Sequence, residues 1–88
     1  KIDNTNKKIF IEIINLLENE IKPESSAEEI QTELYEIGKK HEFENLKDFF
    51  KLVYQVILGQ EQGPRLGSFI KLFGVRETVD YIKKMIDN

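Results

Sequence analysis

The chain has 88 residues, of which 40% are hydrophobic and 33% charged, with a net charge of −3 and no cysteine. That is enough for one globular domain and too little for two, and it excludes a disordered composition, a disulfide scaffold and thiolate metal sites. No apolar run approaches the ~18 residues that a membrane-spanning helix needs, and no signal peptide is visible.

The chain starts at Lys1 without a methionine, so it is expected to be a piece of a longer protein. Its charge is unevenly spread: residues 1–22 are neutral, residues 23–45 carry −5 and residues 46–88 carry +2. A bound polyanion should therefore meet the C-terminal half. The plainer alternative is that these charges are solvated helix faces.

In chain order, Ile9, Phe10, Ile13, Ile14, Leu17 and Ile21 recur at helical spacing and predict a first helix with one apolar face. Asp3, Asn4 or Thr5 caps its start, and Pro23 ends it because proline has no amide to donate. Ser25 with Glu28, or Ser26 with Glu29, fits a capping box for a second helix. Its inward stripe is Ala27, Ile30, Leu34 and Ile37, and Gly38 loosens its last turn. The early glutamates and the late Lys39, Lys40 and His41 suit the two ends of its dipole.

Asn45 is a good cap for a third helix carrying Leu46, Phe49, Phe50, Val53, Tyr54, Ile57 and Leu58. This is the most apolar of the helices and is expected at the centre of the core, with Gly59 stopping it in a left-handed turn. The Gly63-Pro64 pair breaks the chain and starts a fourth helix, from about Pro64 to Phe73, with Leu66, Phe69, Ile70 and Phe73 inward. Gly74 ends it, and a fifth helix carries Val75, Val79, Ile82 and Ile86. The expected fold is all-α: one domain over residues 1–88, a bundle of about five short helices with short antiparallel connections.

Catalysis by these residues is not expected, and neither is a metal site. The single histidine, His41, sits at a helix end among charges and has no second histidine or cysteine to share an ion. The pairs Glu28/Glu29 and Glu42/Glu44 read as helix-start and loop charges, and no glycine-rich phosphate loop is present.

The stretch from Leu58 to Gly74, LGQEQGPRLGSFIKLFG, is the informative one. A tight turn leads into a short helix whose first amides are free to meet a phosphate or a carbonyl oxygen. Arg65, Ser68 and Lys71 are spaced at one helical turn, opposite the apolar residues, and Arg76 follows Gly74. Gly67 in mid-helix costs ~1 kcal/mol relative to alanine and so needs a close neighbour, either another helix or a ligand. Two readings stay open and are compatible: a helix-hairpin connection with a crossing at Gly67, or a cationic binding edge.

The run LYEIGKKHEF followed by FFKLVYQVILGQEQGPRLGSFIKLFG resembles the C-terminal end of class I lysyl-tRNA synthetases. The matching positions are Tyr35 to Ile37, Ile57, Leu58, Gly59, Gly63, Pro64, Arg65, Gly67, Phe69 and Ile70. The likeness covers roughly residues 30–86, while residues 1–29 match only as a helix in the right place. Glutamyl-tRNA synthetases carry a similar Gly-Pro turn, but Arg65 with Gly67 and Phe69 favours the lysyl type.

The resemblance implies a helical cage that reads the tRNA-Lys anticodon, placed C-terminally to a catalytic domain of the same cytoplasmic chain. That domain would use ATP and lysine, and no cofactor is expected in these 88 residues. Arg65 and Lys71, then Ser68 and Arg76, are the expected tRNA contacts. Tyr54 and Tyr81 are candidates to stack on unpaired bases, or else core-edge residues with a solvated hydroxyl. The alternatives are the equivalent tail of a glutamyl-type enzyme and a helical protein-interaction module, the latter suggested by the acidic residues 23–45.

Overall fold

Local signals set the ends of most helices. The computed structural model describes residues 3–41, 43 and 45–87, so the Glu42/Glu44 pair lies outside the described residues. Helix α1 is Asn4–Asn19, and the Asp3 carboxylate accepts the Asn6 amide at 2.8 Å. It stops short of Pro23, where the amides of Glu20 and Ile21 both reach the Leu16 carbonyl. Helix α2 is Ala27–Lys40 and opens on a complete capping box between Ser26 and Glu29, with bonds of 2.7 and 3.1 Å. Ser25 instead holds the preceding turn, its hydroxyl accepting the Lys22 amide at 2.9 Å.

Helix α3 is Leu46–Leu58, capped by Asn45 and closed by Gly59 in the left-handed region at φ 70°. Helix α4 is Leu66–Phe73 and begins later than expected, because Arg65 stays extended at ψ 127° after the proline. Helix α5 is Val75–Ile86. A single residue, Gly74 at φ 114°, separates α4 from α5.

The five described helices form one all-α bundle with a radius of gyration of 11.8 Å. Helix α1 supplies Ile9, Phe10, Ile13, Ile14, Leu16 and Leu17 to the core, six of its 16 residues. The expected central position of α3 is not what the fold adopts. Helix α2 packs against α1, α3 and α4, and α5 against α1, α3 and α4, whereas α3 meets only α2 and α5. The surplus apolar side chains of α3, Phe50, Leu52, Tyr54 and Leu58, lie partly covered at the edge of the core. Phe50 is held there edge-on between Tyr35 and Phe49, with ring centroids 5.1 Å away on each side.

Gly38 is a packing position, not a loosened turn. It is buried under α3, where an added Cβ would meet Leu46 Cδ2 at 2.9 Å and the Phe49 ring at 3.0 Å. Phe73 departs from its expected inward position and is 45% exposed. The side of α4 nearest the core carries Leu66, Gly67 and Ile70, which turns the buried stripe toward the glycine and leaves Phe69 and Phe73 on the flank. There the two rings stack on each other, 5.4 Å apart and 13° from parallel.

Candidate functional site

The Gly63-Pro64-Arg65 turn is held from below and from the side. The Tyr54 hydroxyl donates to the Pro64 carbonyl at 2.7 Å. Burial pushes the Tyr54 hydroxyl above its ordinary pKa of 10.0, and the nearby Arg65 charge works in the opposite direction. Tyr54 is thus a pin for the turn, whereas Tyr81 stands half-exposed on α5. At the second residue of α4, Gly67 lies against the first turn of α2, and a Cβ there would overlap the Ala27 carbonyl oxygen. Gln31, buried on α2, accepts the Gly67 amide at 2.7 Å.

One of the free amides expected to meet an external phosphate or carbonyl is therefore satisfied internally, 36 residues away in sequence. The reading of Gly67 as a helix-crossing glycine is the one the structure realises. The turn-and-glycine motif is, first of all, the device that seats α4 on α2.

The four candidate side chains all reach the surface, but they do not converge on one point. Arg65, at the start of α4, turns toward α2 and pairs with Glu28 at 3.0 Å, both side chains more than half exposed. Ser68 faces solvent directly. Lys71 swings to the α1–α2 connection, where its ammonium donates to the Pro23 carbonyl at 2.9 Å. Arg76, in the first turn of α5, lies 3.8 Å from Asp80 and is 79% exposed.

Lys71 and Arg76 do share a feature that Arg65 and Ser68 do not. They border a groove of about 690 Å³ between the end of α1 and the α4–α5 junction. Its apolar lining comes from Leu17, Ile21, Val75 and Val79, and a third cation, Lys22, stands on its rim. Glu18 is the acid that lines the groove, and its carboxylate is already paired with Lys83 at 2.9 Å. A second depression, along the α1–α2 connection and the start of α2, is lined by Glu20, Glu28, Glu29 and Glu33. The α1–α2 connection thus borders both a cationic groove and an acidic depression, and Ile21 lines both. Among the described residues no cluster of His, Cys, Asp and Glu is arranged to hold a metal ion. No described helix is long and apolar enough to cross a membrane.

Against known proteins, the chain is 47% identical over 77 residues to the lysine–tRNA ligase of Rickettsia felis, covering 88% of this chain. It is 47% identical over 81 residues to the ligase of Rickettsia massiliae, and 44% identical over 86 residues, 98% of the chain, to that of Rickettsia prowazekii. Its homologues are lysine–tRNA ligases. The chain spans only 14–15% of the length of those ligases. No family model matches it, and no solved structure does.

The matched segment reaches beyond residues 30–86, since the Rickettsia prowazekii ligase aligns with 98% of the chain. Two residues that shape the site were missed by sequence reading. Gln31 looks like any polar residue of an amphipathic helix, and only the crossing with α4 gives it a role. Lys22 precedes a proline in a connection, where nothing local separates it from a solvated lysine.

Proposed function

We propose that this chain is the anticodon-binding portion of a class I lysine–tRNA ligase, and that it helps the longer enzyme select tRNA-Lys for lysylation with ATP. The observation that carries this reading is the identity of 44–47% with lysine–tRNA ligases over nearly the whole chain. The class I assignment rests on the likeness of Gly59 to Ile70 to that class. In this reading the surface that meets tRNA is formed by Arg65, Ser68, Lys71 and Arg76. ATP and lysine belong to the catalytic domain of the same cytoplasmic chain, which is the other partner.

The charge distribution supports that choice of surface. Over the whole chain the net charge is −3, so phosphates are attracted locally or not at all. Residues 59–76 carry Arg65, Lys71 and Arg76 against Glu61. Arginine suits this task because its planar fork meets a phosphate or a base edge through paired hydrogen bonds.

The test is made in the longer ligase. Charge reversal at Arg65 and Lys71 is expected to lower kcat/KM for tRNA-Lys by about tenfold or more, through KM, because the lost contacts lie away from the reacting atoms. Replacing the anticodon of the tRNA should reduce the same parameter in the parent enzyme and little further in the variant. Unchanged tRNA recognition in the variant would sink the reading and favour a helical protein-interaction module. A preference for the glutamate anticodon would assign the chain to the glutamyl type.

A further inference from the structure

The groove between α1 and the α4–α5 junction has a composition that neither the core nor the turn explains. Its apolar residues Leu17, Ile21, Val75 and Val79 come from α1, the connection after it, and α5. Three cations, Lys22, Lys71 and Arg76, stand around it, in a chain whose net charge is −3. Its volume of about 690 Å³ falls within the ~300–1,000 Å³ of small-molecule sites.

The charges there are largely uncommitted. Lys22 has no acid within ion-pair distance among the described residues, and Lys71 is held by a neutral carbonyl at 2.9 Å, which leaves its charge unbalanced. The Arg76–Asp80 contact of 3.8 Å is solvent-exposed and weak. Glu18, the acid at the groove, is neutralised by Lys83. An occupant must therefore offer a flat or apolar body with negative charge at its edges.

Resting on the tRNA-binding reading above, we propose that this groove is a pocket for one unpaired RNA nucleotide, the base lying against the partly exposed Ile21 and Val75, with the buried Leu17 and Val79 as the floor beneath them, and the flanking phosphates on Lys22, Lys71 and Arg76. An unpaired base exposes both faces and fits such a slot, whereas a base in a duplex is stacked and out of reach. The Pro23 carbonyl holds the Lys71 ammonium in place before binding, which lowers the ordering cost of one phosphate contact. Lys22 joins Lys71 and Arg76 as a contact on this reading, and Arg65 lies outside the pocket.

The experiment titrates the chain at low salt with an RNA hairpin carrying the tRNA-Lys anticodon loop, with 2-aminopurine replacing loop bases one at a time. Backbone amide NMR shifts are followed alongside the fluorescence. The expected result is shifts centred on Ile21, Lys22, Val75 and Arg76, and a fluorescence change at one loop position as that base leaves its stack. Lys22→Gln should weaken binding several-fold and reduce the slope of log K against log salt by about 0.7, the value for one single-strand phosphate contact.

Val75→Trp, which fills the groove, should abolish the fluorescence change. Circular dichroism monitors the fold of both variants, and the exposed Lys22→Gln remains informative if Val75→Trp unfolds. Lys51→Gln, on α3, should leave the affinity within twofold of the parent. RNA binding that ignores both groove variants, with shifts elsewhere, would overturn the pocket and leave the tRNA-binding reading standing. Absence of RNA binding, with or without capture of an acidic helical peptide by the groove, would overturn both.

Discussion

Gly67 and Gln31 act as one unit, and their substitutions should be costly for different reasons. In most exposed helices glycine to alanine stabilises, by up to about 1 kcal/mol. Here the added Cβ runs into the Ala27 carbonyl, which belongs to a capped helix and cannot swing aside as a side-chain tip would. Gly67→Ala is therefore expected to cost about 1–3 kcal/mol, the usual range for overpacking. At about 4–8 °C per kcal/mol for a domain of this size, the loss is plain in a thermal melt. Gln31→Leu keeps the volume but leaves the Gly67 amide buried without an acceptor, at a similar cost of about 1–3 kcal/mol. Leu72, only five positions from Gly67, is 89% exposed, and Leu72→Ser should stay within about 0.5 kcal/mol of the parent. If Gly67→Ala instead raised the melting temperature, the α2–α4 crossing would be looser than described.

The start of α2 is where the fold and the candidate site meet. Its capping box fixes the Ala27 carbonyl and Gln31 beneath α4, and Glu28 in the same turn draws the exposed Arg65 toward α2. Ser26→Ala should cost about 1 kcal/mol through the lost cap. Glu28→Gln should leave stability nearly unchanged, since an exposed ion pair contributes little. It also frees the Arg65 guanidinium, so under the tRNA-binding reading RNA affinity should hold or rise; a fall would mean that the Arg65–Glu28 pair itself shapes the RNA surface. The helices were legible because their signals are local: Asp3, Ser26 with Glu29, Asn45, Gly59 and Gly74 each act within a few residues of the end they set. The crossing partners were not, because Gln31, Glu28 and Pro23 gain their roles from residues 36 to 48 positions away. The same limit explains Phe73. Periodicity marks it as apolar, but the direction of the α4 stripe is set by how closely Gly67 lets α4 approach α2. The candidate residues were correctly placed on the surface, while their division between the Glu28 side and the groove depends on tertiary packing.

Across the whole molecule, α1 and α2 are joined at their exposed edges by one carboxylate that takes two partners. Glu12 accepts from the Lys40 ammonium at 2.6 Å and from the His41 ring at 2.6 Å, which ties the middle of α1 to the end of α2. The Lys40 hydrogen bond, with lesser help from His41 and against partial desolvation, holds the Glu12 carboxyl below its ordinary pKa of 4.5. For a carboxyl lowered on folding, the unfolded chain binds more protons in the window just below pH 4.5, so stability rises with pH there. The contribution is complete above pH 4.5 and is lost as pH falls through the lowered folded value. Tyr54 bounds the other side with the opposite sign. Its hydroxyl titrates later in the folded chain than its ordinary 10.0, so its contribution is complete below pH 10.0 and is lost as pH rises through the raised value. Glu12→Gln should therefore lower the urea midpoint at neutral pH by an amount equivalent to about 1 kcal/mol or less, given the exposure of Lys40. The gap between parent and variant should close as the pH is taken well below 4.5, because the parent carboxyl is then protonated in both states. A gap that persisted unchanged at low pH would mean that Glu12 stabilises by packing and not by charge. A gap absent at neutral pH would mean that α1 and α2 are held by the core alone.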